Sequence, residues 1–372
     1  MGLTHVPIPL DEYPVHQTPL SMDRVATSDR NFYDRCYLNV HDRSGEIFMV
    51  TGLGVYPNLG VIDAYATARC GDRQWSVRFS DALDQRSLEQ RVGGYRIEVL
   101  EPLQELALSC ASPDGSLDFE LRWSAAFPAV QEEPHLLLSG GRPVLDASRF
   151  CQLGNWSGRL RVGDREFDVT ADRWSGARDR SWGIRPVGEP EPPGRAAAEP
   201  MEGFWWLYAP LQFKSFGLIV ILQENPDGYR TLSEARRVWP DGRVEQLGWP
   251  RAEISYRTGT RHPESARIHL QDRAGAPLAL ELDTVTSVPL HVGAGYGGDP
   301  DWSHGRWMGR GWSQASVYDL TEPAVAGRIP FGVIDHLARA WFDGEEGRGL
   351  FEHASMGRHD PSGFADWSSV AP

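Results

Sequence analysis

Residues 113–123 have the sequence PDGSLDFELRW and give the strongest indication of the fold. From Leu117 to Trp123 apolar and polar side chains alternate strictly, which places the apolar ones on one face of a β-strand. The Asp114-Gly115 step before them suits the positive φ angles of a tight hairpin. The segment therefore predicts a turn followed by a half-buried strand of an antiparallel sheet.

The same pattern recurs in both directions along the chain. Residues 95–99 and 278–282 alternate in the same way, and further Asp-Gly turns stand at 227–228 and 241–242. Many short strands joined by hairpin turns are typical of antiparallel sandwiches and barrels. We therefore predict an all-β fold.

The length of the chain favours two domains, because 372 residues exceed what one ordinary core accommodates. Residues 187–200 are rich in Pro, Glu, Gly and Ala and predict a linker or surface loop. We expect an N-terminal β-domain at 1–186 and a C-terminal β-domain at 201–372. Helical spacing is confined to 329–341, which predicts one short C-terminal helix that covers a sheet.

Charge and patterning exclude several classes of partner. The formal net charge of -14 disfavours nucleic acids and anionic membranes. No apolar stretch approaches the ~20 residues that span a bilayer, and the N-terminus lacks the features of a signal peptide. The four cysteines have no paired spacing, and the histidines have no metal-ligand spacing, so we expect buried thiols, no metal and a cytoplasmic location. The oligomeric state is not determined by the sequence.

Tryptophan is unusually frequent, with 14 residues in the chain. Several of them stand next to glycine or to each other, among them Trp182, Trp205, Trp206, Trp302, Trp307 and Trp312. An indole ring brings a large apolar area and one N–H group that needs a partner, which suits both barrel cores and pocket walls. The sequence leaves both interpretations open.

The segment RDRSWGIR at residues 178–185 carries a family resemblance. It resembles the Arg-Asp-His-Ser-Trp-Gly signature of the hydroxyneurosporene synthase (carotenoid 1,2-hydratase) and AttH-like superfamily. Residues 295–305 (GYGGDPDWSHG) and 349–353 (GLFEH) look like the uncharacterised two-domain bacterial members of that superfamily. Together these segments cover most of the chain from about residue 30 to 365.

The resemblance implies two lipocalin-like β-domains packed together, with a ligand cavity at or near their junction. Relatives in the superfamily hydrate isoprenoid double bonds or fold polyenes in Diels–Alder cyclisations, without a metal or redox cofactor. Their shared requirement is an apolar cavity with one or two polar groups that protonate or orient the ligand.

The chain departs from the carotenoid hydratases at two positions of the pattern. Arg180 stands in place of a histidine, and Pro210 stands in place of the acid that follows a tyrosine, here Tyr208. An arginine, with a pKa above ~12, is no proton donor near neutral pH. Protonation of an alkene requires an acid that burial keeps neutral, and neither replacement supplies one. These departures argue against carotenoid hydration itself.

The candidate site residues follow from the motifs. We expect catalytic or orienting roles for Asp179, Tyr208, Asp301 and His304, and ligand contacts for Arg180, Trp182, Trp205, Trp206, Trp302 and Trp307. Each has a structural alternative: an ion pair for Asp179, core packing for Tyr208, and a loop-ordering hydrogen-bond network for Asp301 and His304. Glu352 and His353 are interpreted as a buried, mutually satisfied pair.

Two main hypotheses remain for the function. The first is a cofactor-independent enzyme, a lyase of hydratase type or an isomerase or cyclase, acting on a terpenoid, polyketide or steroid-like molecule. The second is a lipocalin-like carrier that binds an apolar metabolite without altering it. A structural partner-binding module is a third possibility.

Overall fold

The computed structural model describes residues 10, 13–84, 88–139, 141–187, 201–297, 299–330 and 332–372. These residues form two antiparallel sheets, a half-barrel and a nearly closed barrel, with 59% of residues in strands and 2% in helices. The predicted all-β fold with two lipocalin-like units is confirmed.

The first sheet has 14 strands among the described residues. They are β1 (Phe32–Asp42), β2 (Ile47–Tyr56), β3 (Val61–Cys70), β4 (Arg73–Ala82), β5 (Gln90–Val92), β6 (Tyr95–Glu101), β7 (Glu105–Cys110), β8 (Leu117–Ala125), β9 (Val130–Gln131), β10 (His135–Ser139), β11 (Arg142–Val162), β12 (Arg165–Val169), β13 (Trp174–Ile184) and β21 (Trp312–Asp319). The main path runs β21-β4-β3-β2-β1-β13-β11-β8-β7-β6-β5.

The second sheet has nine strands, in the order β17-β16-β15-β14-β23-β22-β20-β19-β18. Their bounds are β14 (Gly203–Gln212), β15 (Gly217–Glu224), β16 (Arg230–Val238), β17 (Val244–Gln246), β18 (Gly248–Tyr256), β19 (Pro263–Gln271), β20 (Pro277–Pro289), β22 (Ile334–Phe342) and β23 (Glu345–Gly357). Contacts between β16 and β18 nearly close this sheet into a barrel.

The alternation that predicted the fold is visible in the burial of the strands. In β8 the buried positions are Leu117, Phe119, Leu121 and Trp123, as the sequence predicted. In β15 every residue from Gly217 to Gln223 is buried, because this strand has protein on both faces. Two-sided burial removes the polar alternation and explains its continuous apolar run.

The predicted helix at 329–341 is wrong in position. The described part of the chain has one short α-helix, α1 (Pro323–Ala326), and residues 334–342 form β22 instead. Because β22 is buried on both faces, its apolar residues do not alternate, and their spacing imitates a helix. No helix within the described ranges has the length and apolar character needed to cross a membrane.

Strand β21 ties the two halves of the chain together. It lies between β20 and β22 in sequence, yet it pairs with β4 at the edge of the first sheet. The predicted division at 187–200 stays a prediction, and residues 188–200 lie outside the described part of the chain.

Three large apolar clusters form most of the core of the described residues, with a small fourth around Tyr33, Tyr56 and Val61. One fills the first sheet, one fills the second, and the third lies between them. In the first, the rings of Trp123 and Trp156 meet edge to face with centroids 5.0 Å apart. The Trp156 indole donates a hydrogen bond of 2.9 Å to the carbonyl of Asn39. Gly176 lies beneath this bond, where a Cβ atom would stand 2.0 Å from the same carbonyl oxygen.

Replacement of Trp156 by alanine should destabilise the protein strongly. The side chain is fully buried, so the change removes apolar contacts and leaves a cavity, at a cost of ~3–5 kcal/mol in the free energy of unfolding. Urea unfolding followed by circular dichroism measures this loss. Trp249→Ala is the control, since Trp249 is 82% exposed, and it should change the free energy by less than ~0.5 kcal/mol. Equal effects of the two changes would contradict the packing described here.

Candidate active site

A cavity of about 250 Å³ lies where the two sheets face each other. Because side chains alternate along each strand, every second residue of β1 and β14 faces this space. Its wall includes Tyr33, Arg35 and Tyr37 of β1, Arg149 of β11, Asp179 of β13, Phe204, Trp206 and Tyr208 of β14, and Glu352 of β23. The cavity therefore combines aromatic surface with several charged groups drawn from both sheets.

Trp206 forms the centre of the aromatic wall. Its ring is stacked on His135, with centroids 5.6 Å apart and planes 9° apart, and it lies 6.5 Å from the ring of Phe204. Its N–H group donates to a carboxylate oxygen of Glu352 at 2.5 Å. The indole thus presents an apolar face while its polar atom is satisfied.

Glu132 and Arg149 form a buried ion pair beside this wall. The Arg149 guanidinium donates to Glu132 and lies over the Tyr208 ring, 4.5 Å from its centroid. The Tyr208 hydroxyl donates to the other Glu132 oxygen at 3.1 Å. Burial raises the pKa of Glu132 to about 7, although the positive charge of Arg149 opposes the shift.

Asp179 is a second carboxyl of the cavity wall with a perturbed pKa. Burial raises its pKa to about 6, and the nearby guanidinium of Arg149 limits the rise. Carboxyl groups that titrate between pH 6 and 7 can both donate and accept a proton under physiological conditions. Such groups concentrate at functional sites.

A third acid lies behind the cavity wall. Asp335 of β22 stands opposite Glu352 of β23 in the strand register and is fully buried. The Tyr37 hydroxyl donates to Asp335 at 2.5 Å. Burial and, secondarily, the neighbouring Glu352 carboxylate raise the pKa of Asp335 well above its usual value, while the hydrogen bond from Tyr37 opposes the shift.

The opposite end of the cavity carries a cation. The buried Arg35 donates from Nη2 to the Tyr296 hydroxyl at 3.3 Å, and its Nη1 has no hydrogen-bond partner within the described residues. The Tyr65 hydroxyl lies 3.3 Å from that of Tyr296. An unsatisfied buried guanidinium N–H group is suited to a ligand oxygen.

His304 packs behind Tyr296, in the loop that joins β20 to β21. Its ring contacts those of Tyr65, Tyr296 and Trp302 edge to face, with centroids 4.9–5.0 Å apart. Burial and, secondarily, the charge of Arg35 lower its pKa well below the usual value, so the imidazole is neutral. His304 and the fully buried Trp302 therefore support the cavity wall from behind.

The structure brings three of the sequence-predicted site residues together at the cavity: Asp179, Trp206 and Tyr208. Arg180 and Trp205 lie elsewhere for a common reason, because neighbours on a strand face opposite sides. Arg180 faces the interior of the first sheet, 2.8 Å from Asp34, and Trp205 faces the interior of the second.

Three further candidates lie away from the cavity. Asp301 is 3.3 Å from Arg78, with a side chain 43% exposed. Trp182 and Trp307 are exposed at the surface. None of these three residues is part of the cavity wall.

The interpretation of Glu352 and His353 as a mutually satisfied pair is wrong. As neighbours on β23 they face opposite ways. Glu352 lines the cavity. The Nε2 atom of His353 instead shares a hydrogen bond of 3.1 Å with the Tyr256 hydroxyl inside the second sheet. Strand alternation in the sequence contained this information.

The remaining polar groups of the cavity were not found from the sequence. Arg35 could have been found, because Tyr33, Arg35 and Tyr37 alternate on β1 and share one face. Glu132 and Arg149 meet through the pairing of β9 with β11, whereas only the packing of the two sheets brings Tyr208 to Glu132 and Asp335 to Tyr37.

The comparisons with known proteins agree with this fold. A family model described as "Family of unknown function (DUF8625)" matches residues 8–365. None of the curated proteins matches the sequence significantly.

Solved structures with a similar fold have low sequence identity. A protein described as AttH from Nitrosomonas europaea has 11% identity and a TM-score of 0.53, over 87% of this chain and 92% of that one. CghA in complex with Sch210972 has 10% identity and a TM-score of 0.50, over 89% of both chains. Kievitone hydratase from Nectria haematococca has 12% identity and a TM-score of 0.49, over 87% of this chain and 89% of that one. At these identities the similarity to AttH and to the CghA complex establishes the fold alone.

Infrared spectroscopy should detect the two titrating carboxyls. A carboxyl with a raised pKa is protonated below that pKa, so its C=O band is present at pH 5 and lost by pH 8. We expect Glu132→Gln to remove a component with a midpoint near 7 and Asp179→Asn to remove one near 6. Asp179→Asn should also lower the midpoint of Glu132, because the negative charge of Asp179 raises it.

The matched control is Glu166→Gln, a change of an exposed carboxyl on β12. It should leave both components unchanged. If neither variant altered the spectrum between pH 5 and 8, the assignment of raised pKa values to Glu132 and Asp179 would be wrong.

Proposed function

Because the chain belongs to the family of unknown function DUF8625, which carries no assigned activity, we propose a function from the cavity itself. The proposal is that the protein is a cofactor-independent enzyme that hydrates, dehydrates, isomerises or cyclises a lipophilic molecule of terpenoid, polyketide or steroid-like type. The observation that carries the proposal is an aromatic cavity whose wall holds two carboxyls with pKa values of about 6 and 7.

The chemistry of these reactions matches the groups present. Hydration, dehydration, double-bond isomerisation and proton-initiated cyclisation each require a proton to be delivered to or removed from a carbon skeleton, and an acid or base works best when its pKa lies near the ambient pH. Asp179 and Glu132 meet this condition, and Asp335, whose pKa burial and Glu352 also raise, lies behind the cavity wall. In this mechanism one carboxyl gives its proton to a polarised double bond, and a carboxylate takes a proton back from the added water or from a neighbouring carbon.

The surrounding groups supply orientation and charge stabilisation. Trp206, Phe204 and Tyr208 hold an apolar skeleton by contact, which lowers the entropy cost of the reactive geometry. Arg35 stands ready to donate to a carbonyl or hydroxyl oxygen on which negative charge develops. A cavity of 250 Å³ is compact compared with the ~300–1,000 Å³ of many ligand sites, and suits a small or partly inserted ligand.

The structure of CghA with Sch210972 gives limited support. In that protein the shared fold accommodates a small molecule. We extend this only to the expectation that the present chain also binds one.

The proposal is tested by incubating the purified protein with a panel of lipophilic polyenes, enones and terpenoid alcohols, with the products separated by mass spectrometry. Turnover by the wild type should fall ~10²–10⁴-fold in Asp179→Asn and Glu132→Gln, the usual loss when a general acid or base is removed. Affinity for the substrate should change much less, because the aromatic wall remains. Asp164→Asn and Glu166→Gln, both at exposed positions, serve as controls and should keep full activity.

A different result would favour the carrier hypothesis. If compounds bind with measurable affinity and are recovered unchanged across the panel, the protein is a binding protein. Full activity in both carboxyl variants would place the chemistry outside this cavity.

A further inference from the structure

A second cavity lies on the other face of β1 and β13, inside the first sheet. Its volume is about 540 Å³. The side chains that line it are mainly aliphatic or aromatic, including Leu38, Leu53, Ile62, Ile97, Leu106 and Phe150. Residues of this kind favour an extended hydrocarbon over a polar ligand.

Arg178 lines this cavity and has no carboxylate partner among the described residues. The residue is 9% exposed. Its Nε and Nη2 atoms donate to the side-chain oxygen of Gln152 at 2.8 and 2.6 Å, and no hydrogen bond of its Nη1 atom occurs within the described ranges. Burial lowers its pKa to about 10, which still leaves it positively charged at neutral pH. A buried cation without a counter-charge is costly unless a ligand supplies the charge.

The neighbouring groups hold Arg178 in place. The side-chain amide of Gln152 donates to the carbonyls of Leu103 and Phe127 at 2.8 and 3.0 Å, which fixes the oxygen that Arg178 contacts. The guanidinium also lies 5.6 Å from the Phe150 ring centroid. The cation is therefore oriented in advance of any ligand.

Arg178 is the one cation of this lining without a carboxylate partner among the described residues. Arg180 is paired with Asp34 at 2.8 Å and also donates to Gln90, and Arg91 lies 3.4 Å from Glu89. Of the other carboxylates in the lining, Asp84 lies 2.6 Å from Arg310, and Asp179 belongs to the strand position that faces the junction. Besides burial, the groups that perturb the pKa of Arg178 are the thiols of Cys36 and Cys151, which raise it, and Arg180, which lowers it.

We propose that this cavity is a binding site for an amphipathic carboxylate, with the aliphatic chain inside the first sheet and the carboxylate on Arg178. A guanidinium matches the planar geometry of a carboxylate and can bond both of its oxygens. The site lies on the opposite face of the sheet from the junction cavity, and Cys36 and Asp179 contribute to the lining of both.

Isothermal titration calorimetry on the full-length protein tests the proposal with dodecanoate, dodecanol and dodecyltrimethylammonium. Dodecanoate should bind most tightly, and each methylene removed, down to octanoate, should weaken the Kd about fourfold. Arg178→Gln should weaken dodecanoate binding about 10- to 100-fold and leave dodecanol nearly unchanged, because only the carboxylate loses a charged hydrogen bond. Arg159→Gln, an exposed change on β11, is the matched control and should keep the wild-type Kd.

Two further variants keep the test decisive. Ile97→Trp fills the cavity without touching Arg178 and should abolish dodecanoate binding even if Arg178→Gln fails to fold. Glu132→Gln alters the junction cavity alone and should leave dodecanoate affinity intact, which separates this site from the proposed active site. Absence of dodecanoate binding, or equal binding by the wild type and Ile97→Trp, would overturn the proposal.

Discussion

Strands β1 and β13 form a wall shared by two compartments, and the alternation of their side chains decides which groups enter each. Arg35, Tyr37 and Asp179 face the second sheet, whereas Asp34, Arg178 and Arg180 face the interior of the first. Both faces are covered by protein, so each charged group must find a partner, change its protonation state or await a ligand. The polarity of both cavities follows from this single wall.

The junction between the sheets shows all three outcomes. Glu132 is paired with Arg149, burial and Glu352 raise the pKa of Asp335, and Arg35 retains a free N–H group within the described residues. In an ordinary core, the burial of a carboxyl group only lowers stability. In this cavity burial also raises the pKa values of Glu132 and Asp179 toward neutrality. The same environment supplies the aromatic surface that orients an apolar molecule, so the proposed catalysis and the cost of burial have one physical origin.

The loop between β20 and β21 completes the cavity because it is fixed at both ends. β20 belongs to the second sheet and β21 to the first, so the intervening residues cross the junction. Within the loop, the Gly305 N–H donates to Asp63 at 2.6 Å, and Asp299 contacts Arg328 at 2.7 Å. These bonds hold Tyr296 against the cavity, with His304 behind it. Polar residues of the glycine-rich segment therefore order the loop.

The sequence by itself determined the all-β class, because the alternation of residues such as 117–123 is a local property of each strand. It also indicated Asp179 and Tyr208, through the resemblance to the superfamily, and Trp206, through the clustering of tryptophans. It failed at residues 334–342, where burial on both faces removes alternation and the spacing imitates a helix. Only the tertiary structure decided that Asp335 contacts Tyr37 and that Glu132 contacts Tyr208. These contacts depend on how two sheets pack, and no short-range pattern encodes the distance between residues 298 or 76 positions apart.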